Sequence, residues 1–364
     1  MRTVPDAPNS TPPTVATRDL DDLQPRLERW LATKLDGDAT ITSLSTPAST
    51  GMSSETVLFA TGTDRYVARL APDAANFPVF PVYDLERQFN AMRVVGELGA
   101  VPVPPVLWCE NDPSHIGTHF IVMGHVDGVV PPDVLPYDFG DNWLFDAPRA
   151  DQQRLEDSSV AVLASLHAID NPRTRFDFMP WPSGSALRAH VDATWDYYRW
   201  VVADGPPSPL IESCFAWLEQ HWPREEGPTA VSWGDARIGN MLFRDFEPVA
   251  VLDWEMMGFG PPEIDVAWFL FLHRFFEDIA TGYGFPGMPH FLQRDRVCAT
   301  YEKLSGYALR DMDFFEMYSA LRQGIVMSRV QRRAVHFGEA DAPDDIDDLI
   351  MHRSTLEALR DGSS

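Results

Sequence analysis

The sequence predicts an α+β, two-lobed architecture, with a small antiparallel-sheet lobe followed by a larger helical lobe. Three observations carry this expectation. Alternating segments rich in Thr, Val and Ser crowd into the chain before residue 128. Segments with helical apolar spacing dominate after it, and one hairpin-like stretch, NMLFRDFEPVAVLDWE, interrupts them. A chain of 364 residues is long enough for two such units and a sizeable core. Chemistry in such a plan sits in the crevice between the lobes.

The elements follow in order. Residues 1–18 are rich in Pro, Thr, Ser and Asp and predict a mobile tail. A helix is expected over LQPRLERWLATKL, where Leu23, Leu27, Trp30, Leu31 and Leu35 recur at helical spacing. The segment from Ala39 to Pro72 alternates, with turns at Gly51 and Gly62, and predicts short antiparallel strands. YDLERQFNAMRVVGELGA returns to helical spacing and stops at Gly99. VPVPPVLW and THFIVMGHVDG complete the sheet-rich lobe, set at residues 19–125. Residues 126–364 form the second lobe, with helices over Arg154–Asp170 and beginning again near Ile211, Ile264, Phe314 and Ile346.

Composition narrows the function. Hydrophobic residues make up 45% and charged residues 23%, a globular balance, and the formal net charge is −25. That charge argues against nucleic acid or an anionic membrane as partner and would tolerate a cationic substrate. Cys109, Cys214 and Cys298 are isolated thiols without a CxxC, which fits a reducing cytoplasm and no zinc site. The first residues lack a signal-peptide apolar core. The most apolar later run, VAWFLFL, is too short to span a bilayer.

The stretch VSWGDARIGN, residues 231–240, carries the chemical signal. Phosphoryl transfer from ATP needs a carboxylate to accept the hydroxyl proton, hard oxygens for Mg²⁺ and a fixed cation for the phosphates. A loop spelled D-x-K/R-x-x-N supplies three of these in six residues. Asp235 is then the base, Arg237 the phosphate clamp and Asn240 a metal ligand. A second metal carboxylate belongs at the end of a following strand, where Asp253 closes VAVLDWE. Two antiparallel strands joined at RDFEP would return Asp253 to Asn240, and Glu255 could add to the same site. No HExxH, GxSxG or Cys/His cluster competes with this reading.

WGDARIGNMLF followed by VAVLDWE resembles the paired motifs of the aminoglycoside phosphotransferase-like family of small-molecule kinases. The likeness runs from about residue 20 onward. VVPPDV, FGDNW, WGDAR and LDWEM look like phosphotransferases of mycobacteria and other actinobacteria in particular. The resemblance implies a protein-kinase-like fold, ATP and Mg²⁺ as cofactors, and transfer of the γ-phosphate to a small-molecule hydroxyl acceptor. Where that pattern has a His before the base, this chain has Trp233, which can brace the loop by packing and through its indole N–H. Asp265, in GPPEIDVAWFL, matches an Asp that holds the loop from behind; it also reads as a helix N-terminal acid.

The resemblance also implies a nucleotide side. Arg69, in YVARLAP, stands where kinases carry Lys and shares a strand face with Val67. Its acidic partner on the next helix would be Glu86, or Gln88 as a neutral substitute, since the two cannot share a helix face. Ser53 and Ser54 fall where a phosphate-covering loop belongs. Met123 would border the adenine pocket, and the backbones of Gly124 and Val126 would pair with the adenine edge.

Other features have plainer readings. His167 on an apolar helix face reads as a satisfied core histidine. The acidic run from Glu339 to Asp348 reads as a solvated helix start before it reads as a rim for a polycation. DFGDNW and TWDYYRW are candidate walls of an acceptor site, though such aromatics more often pack in cores. The alternative to a kinase is a nucleotide-binding pseudokinase or ligand-binding protein without phosphoryl transfer. Its support is the missing His, the uncertain helix acid and the Arg in place of Lys.

Overall fold

The computed structural model describes residues 18–47, 54–73, 76–133 and 135–362. The tail expected over 1–18 therefore lies outside the described residues except for Arg18, whose guanidinium pairs with Glu55 at 2.9 Å.

The sheet-rich lobe opens with α1 (Leu20–Leu31), capped by the Asp19 carboxylate, which accepts from the Asp21 N–H. Strands β1 (Ser43–Ser45), β2 (Glu55–Thr61) and β3 (Asp64–Leu70) follow. After them come α2 (Leu85–Leu98), β4 (Val106–Glu110) and β5 (Phe120–Gly124). The strands form one antiparallel sheet in the order β1-β2-β3-β5-β4.

Alternation gives the sheet two distinct faces. Val57, Phe59, Tyr66, Ala68, Leu70, Phe120 and Val122 pack with Leu23, Leu27, Trp30 and Leu31 of α1 in one cluster. Trp30 meets Phe120 edge-on at 4.7 Å. Val67, Ile121 and Met123 face the other way and join α2 in the large core of the molecule. Helix α2 begins at an Asp84 cap and ends at Gly99, whose φ of +62° is the left-handed stop its sequence announces.

The helical part carries α3 (Arg149–His167), α4 (Pro172–Arg175), α5 (Ala186–Val201) and α6 (Pro209–Gln220). Short strands β6 (Ala230–Ser232), β7 (Met241–Arg244), β8 (Glu247–Val251) and β9 (Gly258–Gly260) come next. Then follow α7 (Glu263–Gly282), α8 (Arg294–Ser305), α9 (Met312–His336) and α10 (Arg353–Asp361). Strands β7 and β8 form the expected hairpin, and β6 pairs with β9. The fold is thus α+β, with one five-stranded antiparallel sheet beside a larger helical body.

The segment leaving β5 is tied to the helical body. Val129 exchanges two backbone hydrogen bonds with Phe243, at 2.9 and 2.8 Å. A Cβ on Gly128 would lie 3.1 Å from the Phe243 carbonyl, so this approach favours glycine. Trp233 and Trp254 pack against each other at 6.2 Å at the foot of the hairpin, and Trp268 is buried as well. Each contributes roughly 4–6 kcal/mol of gross transfer free energy at full burial.

The acidic run near the C-terminus does not begin a long helix. Ile346–Leu349 is one 3-10 turn, and α10 starts only at Arg353. Asp347 is buried and accepts from the Ser208 hydroxyl, while Asp345 and Asp348 pair with Arg353. These three acids fasten the chain end, while Glu339, Asp341 and Asp344 of the same run are exposed.

Candidate active site

The loop 233–240 leaves β6 and enters β7 through a 3-10 turn, Ile238–Asn240. Gly234 sits at φ +92°, and a Cβ there would fall 2.0 Å from the Met256 carbonyl, so only glycine fits. The next residue, Asp235, is held at both oxygens. Its Oδ1 accepts from the Trp268 indole at 2.8 Å. Its Oδ2 accepts from Asn240 Nδ2 at 2.6 Å and from Arg237 Nε at 3.1 Å. Asn240 Nδ2 also donates to the Asp235 carbonyl at 3.1 Å. That orients the amide, leaving its Oδ1 turned away from Asp235. Arg237 reaches past Asp235 to the carboxylate of Asp133. Burial disfavours its cation, but Asp235 and Asp133 outweigh burial and raise its pKa further.

The hairpin brings the second acid back. Met241 pairs with Val251, and the Leu252 N–H donates to the Asn240 carbonyl at 2.8 Å. Asp253 therefore emerges beside Asn240. Its backbone is in the left-handed region, at φ +56°, which turns the carboxylate out of the strand. The Trp233 indole N–H donates to the carbonyls of Leu252 and Asp253 at 2.9 and 3.0 Å. Arg69 Nη2 stands 3.5 Å from Asp253 Oδ1 and 4.0 Å from Glu255 Oε2, and it donates to the Ser54 hydroxyl. For Arg69 too, burial lowers the pKa, while Asp253 and Glu255 raise it by more.

Asp265 lies behind the loop, fully buried. It accepts from the Ser232 hydroxyl at 2.7 Å, the Trp233 N–H at 2.7 Å and the Gly234 N–H at 3.0 Å. His167 Nε2 lies 3.1 Å from the same carboxylate, and His167 Nδ1 lies 2.9 Å from the Tyr301 hydroxyl. His167 is thus a satisfied core histidine, and it is the brace of Asp265.

The nucleotide-side residues fall as follows. Ser53 lies outside the described residues. Ser54 is buried against Arg69. Met123 is buried on the sheet face shared with Arg69. The His125 N–H donates to Arg65, so in the antiparallel register the Gly124 N–H and C=O point away from β3. Val126, two residues on, is half-buried.

Glu86 requires a correction. It is exposed and accepts from Asn111 Nδ2 at 3.1 Å, away from Arg69. It sits two positions from Gln88, which is buried on the inner face of α2, and two-residue spacing puts them on different sides of the helix. The carboxylates that face Arg69 come instead from Asp253 and Glu255.

Sequence reasoning missed Asp133, Ser232 and Trp268. Asp133 carried a signal in its Pro-Pro-Asp turn, but nothing local pairs it with a residue 104 positions away. Trp268 follows Asp265 by one helical turn on α7, which could have flagged both as facing the loop. The proposed acceptor walls divide. In TWDYYRW, Tyr198 is buried and Trp195 packs edge-on against Phe215, so this stretch serves packing. In DFGDNW, Asp138 is buried beside Glu277 of α7.

A model of the APH group, described as a phosphotransferase enzyme family, matches residues 45–294. The chain belongs to the phosphotransferase enzyme family. Among solved structures, a Ralstonia eutropha protein provisionally named an aminoglycoside phosphotransferase superposes with a TM-score of 0.66 and 23% identity. That likeness covers 92% of this chain and 96% of the other. Aminoglycoside phosphotransferase APH(4)-Ia, solved as a ternary complex with AMP-PNP and hygromycin B, gives a TM-score of 0.58 at 17% identity. It covers 93% of this chain and 99% of the other. Both show that the family chain has the kinase-like fold of these enzymes. A curated relative, mouse acyl-CoA dehydrogenase family member 10, is 26% identical over 78% of this chain. The match takes in only 26% of that relative's length, so this phosphotransferase-family chain spans about a quarter of it. No helix among the described residues is long and apolar enough to cross a membrane.

Proposed function

We propose that this chain is an ATP- and Mg²⁺-dependent phosphotransferase that transfers the γ-phosphate to a hydroxyl of a small molecule. The observation that supports it most is the meeting of Asp235, Asn240, Asp253 and Arg69 from three separated segments. Residues 19–125 form its nucleotide-binding lobe, and residues 126–364 carry the catalytic loop and the acceptor site.

The donor set suits Mg²⁺. Asp253 offers a carboxylate and Asn240 an amide oxygen, both hard ligands. Magnesium takes one or two protein oxygens and completes its shell with water and substrate phosphate. No group of three His, Cys, Asp or Glu placed for a metal exists among the described residues, so a dedicated all-protein cage is not the design. When bound, the ion would neutralise charge on the phosphates.

The chain's own residues supply the rest. Asp235 accepts the acceptor's hydroxyl proton at Oδ2, the oxygen shared with Asn240 and Arg237. Arg69 meets phosphate oxygens from the sheet side. Arg237, on exchanging Asp133 for phosphate, meets them from the loop side. Ser54, and Ser53 before it, contribute donors to the phosphate cover. Met123 borders the adenine, and the Gly124 carbonyl with the Val126 N–H pairs with its edge. Glu86 has no part in this site.

The acceptor is an alcohol. Aminoglycosides suit the acidic balance of −25. Because a curated relative is named as an acyl-CoA dehydrogenase family member, hydroxyl-bearing acyl thioesters join the acceptors to be screened. The test is an ADP-release screen with Mg·ATP over aminoglycosides, macrolides, sugars, amino alcohols and hydroxyacyl thioesters. Turnover that requires Mg²⁺ and vanishes in Asp235→Ala is the expected result. Nucleotide binding with no acceptor turned over would replace the reading with that of a pseudokinase.

A further inference from the structure

The base has a support that neither the motif nor the family likeness points to. Trp268 lies three residues after Asp265 on α7, so both side chains leave one face of that helix. Asp265 holds the backbone of the loop, and Trp268 holds the carboxylate of Asp235 through Oδ1. Behind Trp268 stands Arg322 of α9, only 4% exposed. Its guanidinium carbon sits 4.4 Å from the Trp268 ring centroid, and its Nη2 donates to the Gly234 carbonyl at 3.1 Å.

Arg322 makes no contact ion pair among the described residues. Its Nη1 is buried with no hydrogen-bond partner among the described residues, and Tyr318, Asp265 and Asp235 act on it through space. Burial lowers its pKa, with Tyr318 and these acids opposing. A buried cation left without a contact carboxylate is costly, and packing alone would be served as well by an apolar residue. The geometry explains the charge. A cation against an indole face polarises the ring and strengthens the N–H as a donor. That N–H is the one aimed at Asp235 Oδ1.

We propose that Trp268 and Arg322 are a positioning pair that pins Asp235 Oδ1 and so fixes the plane in which the carboxylate presents Oδ2, itself held by Asn240 and Arg237, to the hydroxyl proton. The proposal rests on the kinase reading above. The pair touches no substrate and acts through the base. Trp268→Phe removes the N–H and keeps most of the ring. Arg322→Met removes the charge and keeps the stem, while Arg322→Lys returns the charge without the fork.

Steady-state kinetics with any accepted acceptor test the pair. Trp268→Phe and Arg322→Met are expected to lower kcat roughly 10- to 100-fold, the range a misplaced catalytic group shows. KM for Mg·ATP and the melting temperature stay near wild type, and Arg322→Lys recovers part of the loss. Unchanged kcat, or a joint collapse of kcat, KM and melting temperature, would overturn the proposal in favour of plain packing.

A second readout needs no turnover. In ¹H–¹⁵N spectra, the indole N–H resonance lost in Trp268→Phe is expected to move in Asp235→Asn and again in Arg322→Met. A resonance indifferent to both changes refutes the pair. If no acceptor is ever turned over, the kinase reading fails, while this resonance still decides the geometry.

Discussion

The indole N–H of Trp233 donates to the backbone carbonyl of Asp253 at 3.0 Å, twenty residues ahead in the chain. It joins the loop that carries the proposed base to the turn that carries the proposed metal carboxylate. The residue that departs from the kinase motif is therefore a tie between its two halves. Trp233→Phe should leave the Leu252 and Asp253 carbonyls buried without their donor and cost about 1–3 kcal/mol of stability. Denaturant unfolding reads that loss, and kcat should fall with it, because the same bond orients Asp253.

Asp265 gives a stability prediction with a defined pH sense. Burial by itself would push its pKa up, but hydrogen bonds from His167, Ser232 and the Trp233 N–H outweigh burial and hold it below the ordinary value of 3.8. The folded carboxyl thus binds its proton less readily than the unfolded one. Its contribution is present above pH 3.8 and is lost as pH falls below that value. Asp265→Asn should cost about 2–4 kcal/mol at neutral pH. It should also flatten the acid side of a plot of melting temperature against pH. Equal acid slopes in the two proteins would remove Asp265 from this role.

Asp138 predicts the opposite slope. It is fully buried and shares a hydrogen bond with the carboxyl of Glu277. Burial first, and the Glu277 charge next, push its pKa up to about 7. Between 3.8 and about 7 the folded protein binds a proton that the unfolded chain releases, so stability falls as pH rises through that window. Asp138→Asn, which needs no proton, should shrink this decline to the part that Glu277, also raised by burial, contributes. Melting temperatures from pH 5 to pH 8 are the check, and parallel curves would refute it.

On the nucleotide side, Arg69→Ala should raise KM for Mg·ATP by about tenfold or more, since a guanidinium–phosphate contact is worth roughly 1.5–3 kcal/mol. Arg69→Lys should recover part of this, keeping the charge without the fork. Glu86→Ala should leave KM unchanged, because Glu86 faces Asn111 at the surface. A matching rise in KM for Glu86→Ala would restore it as the partner of Arg69.

Much of this was legible in the residues, for physical reasons. The sheet could be read because period-two burial leaves its mark in Val57, Phe59, Ala68 and Leu70, and α2 could be read because Gly99 ends it. The meeting of Asn240 with Asp253 followed from counting residues across a hairpin. Helices α5 and α8 were not anticipated. The apolar face of α5 is crowded with Trp and Tyr, and α8 buries only Val297 and Tyr301. The supports of Asp235 were invisible because they are tertiary. Asp133 lies 104 residues from its partner Arg237, and Arg322 reaches a carbonyl 88 residues away. Each of these residues alone reads as an ordinary turn or core position. The partner of Arg69 was misplaced because helix phase near Glu86 and Gln88 depends on where α2 docks, and a local pattern does not specify docking.

The most direct measurement is ADP release by Asp253→Ala and wild type, with saturating Mg·ATP and any acceptor that the wild type uses. Loss of the proposed metal carboxylate should lower turnover by about 10²- to 10³-fold, of the order seen when a charge-stabilising group is removed from an active site, while the variant stays folded. Wild-type turnover by Asp253→Ala would contradict the account, because the convergence of Asp235, Asn240 and Asp253 would then have no catalytic meaning.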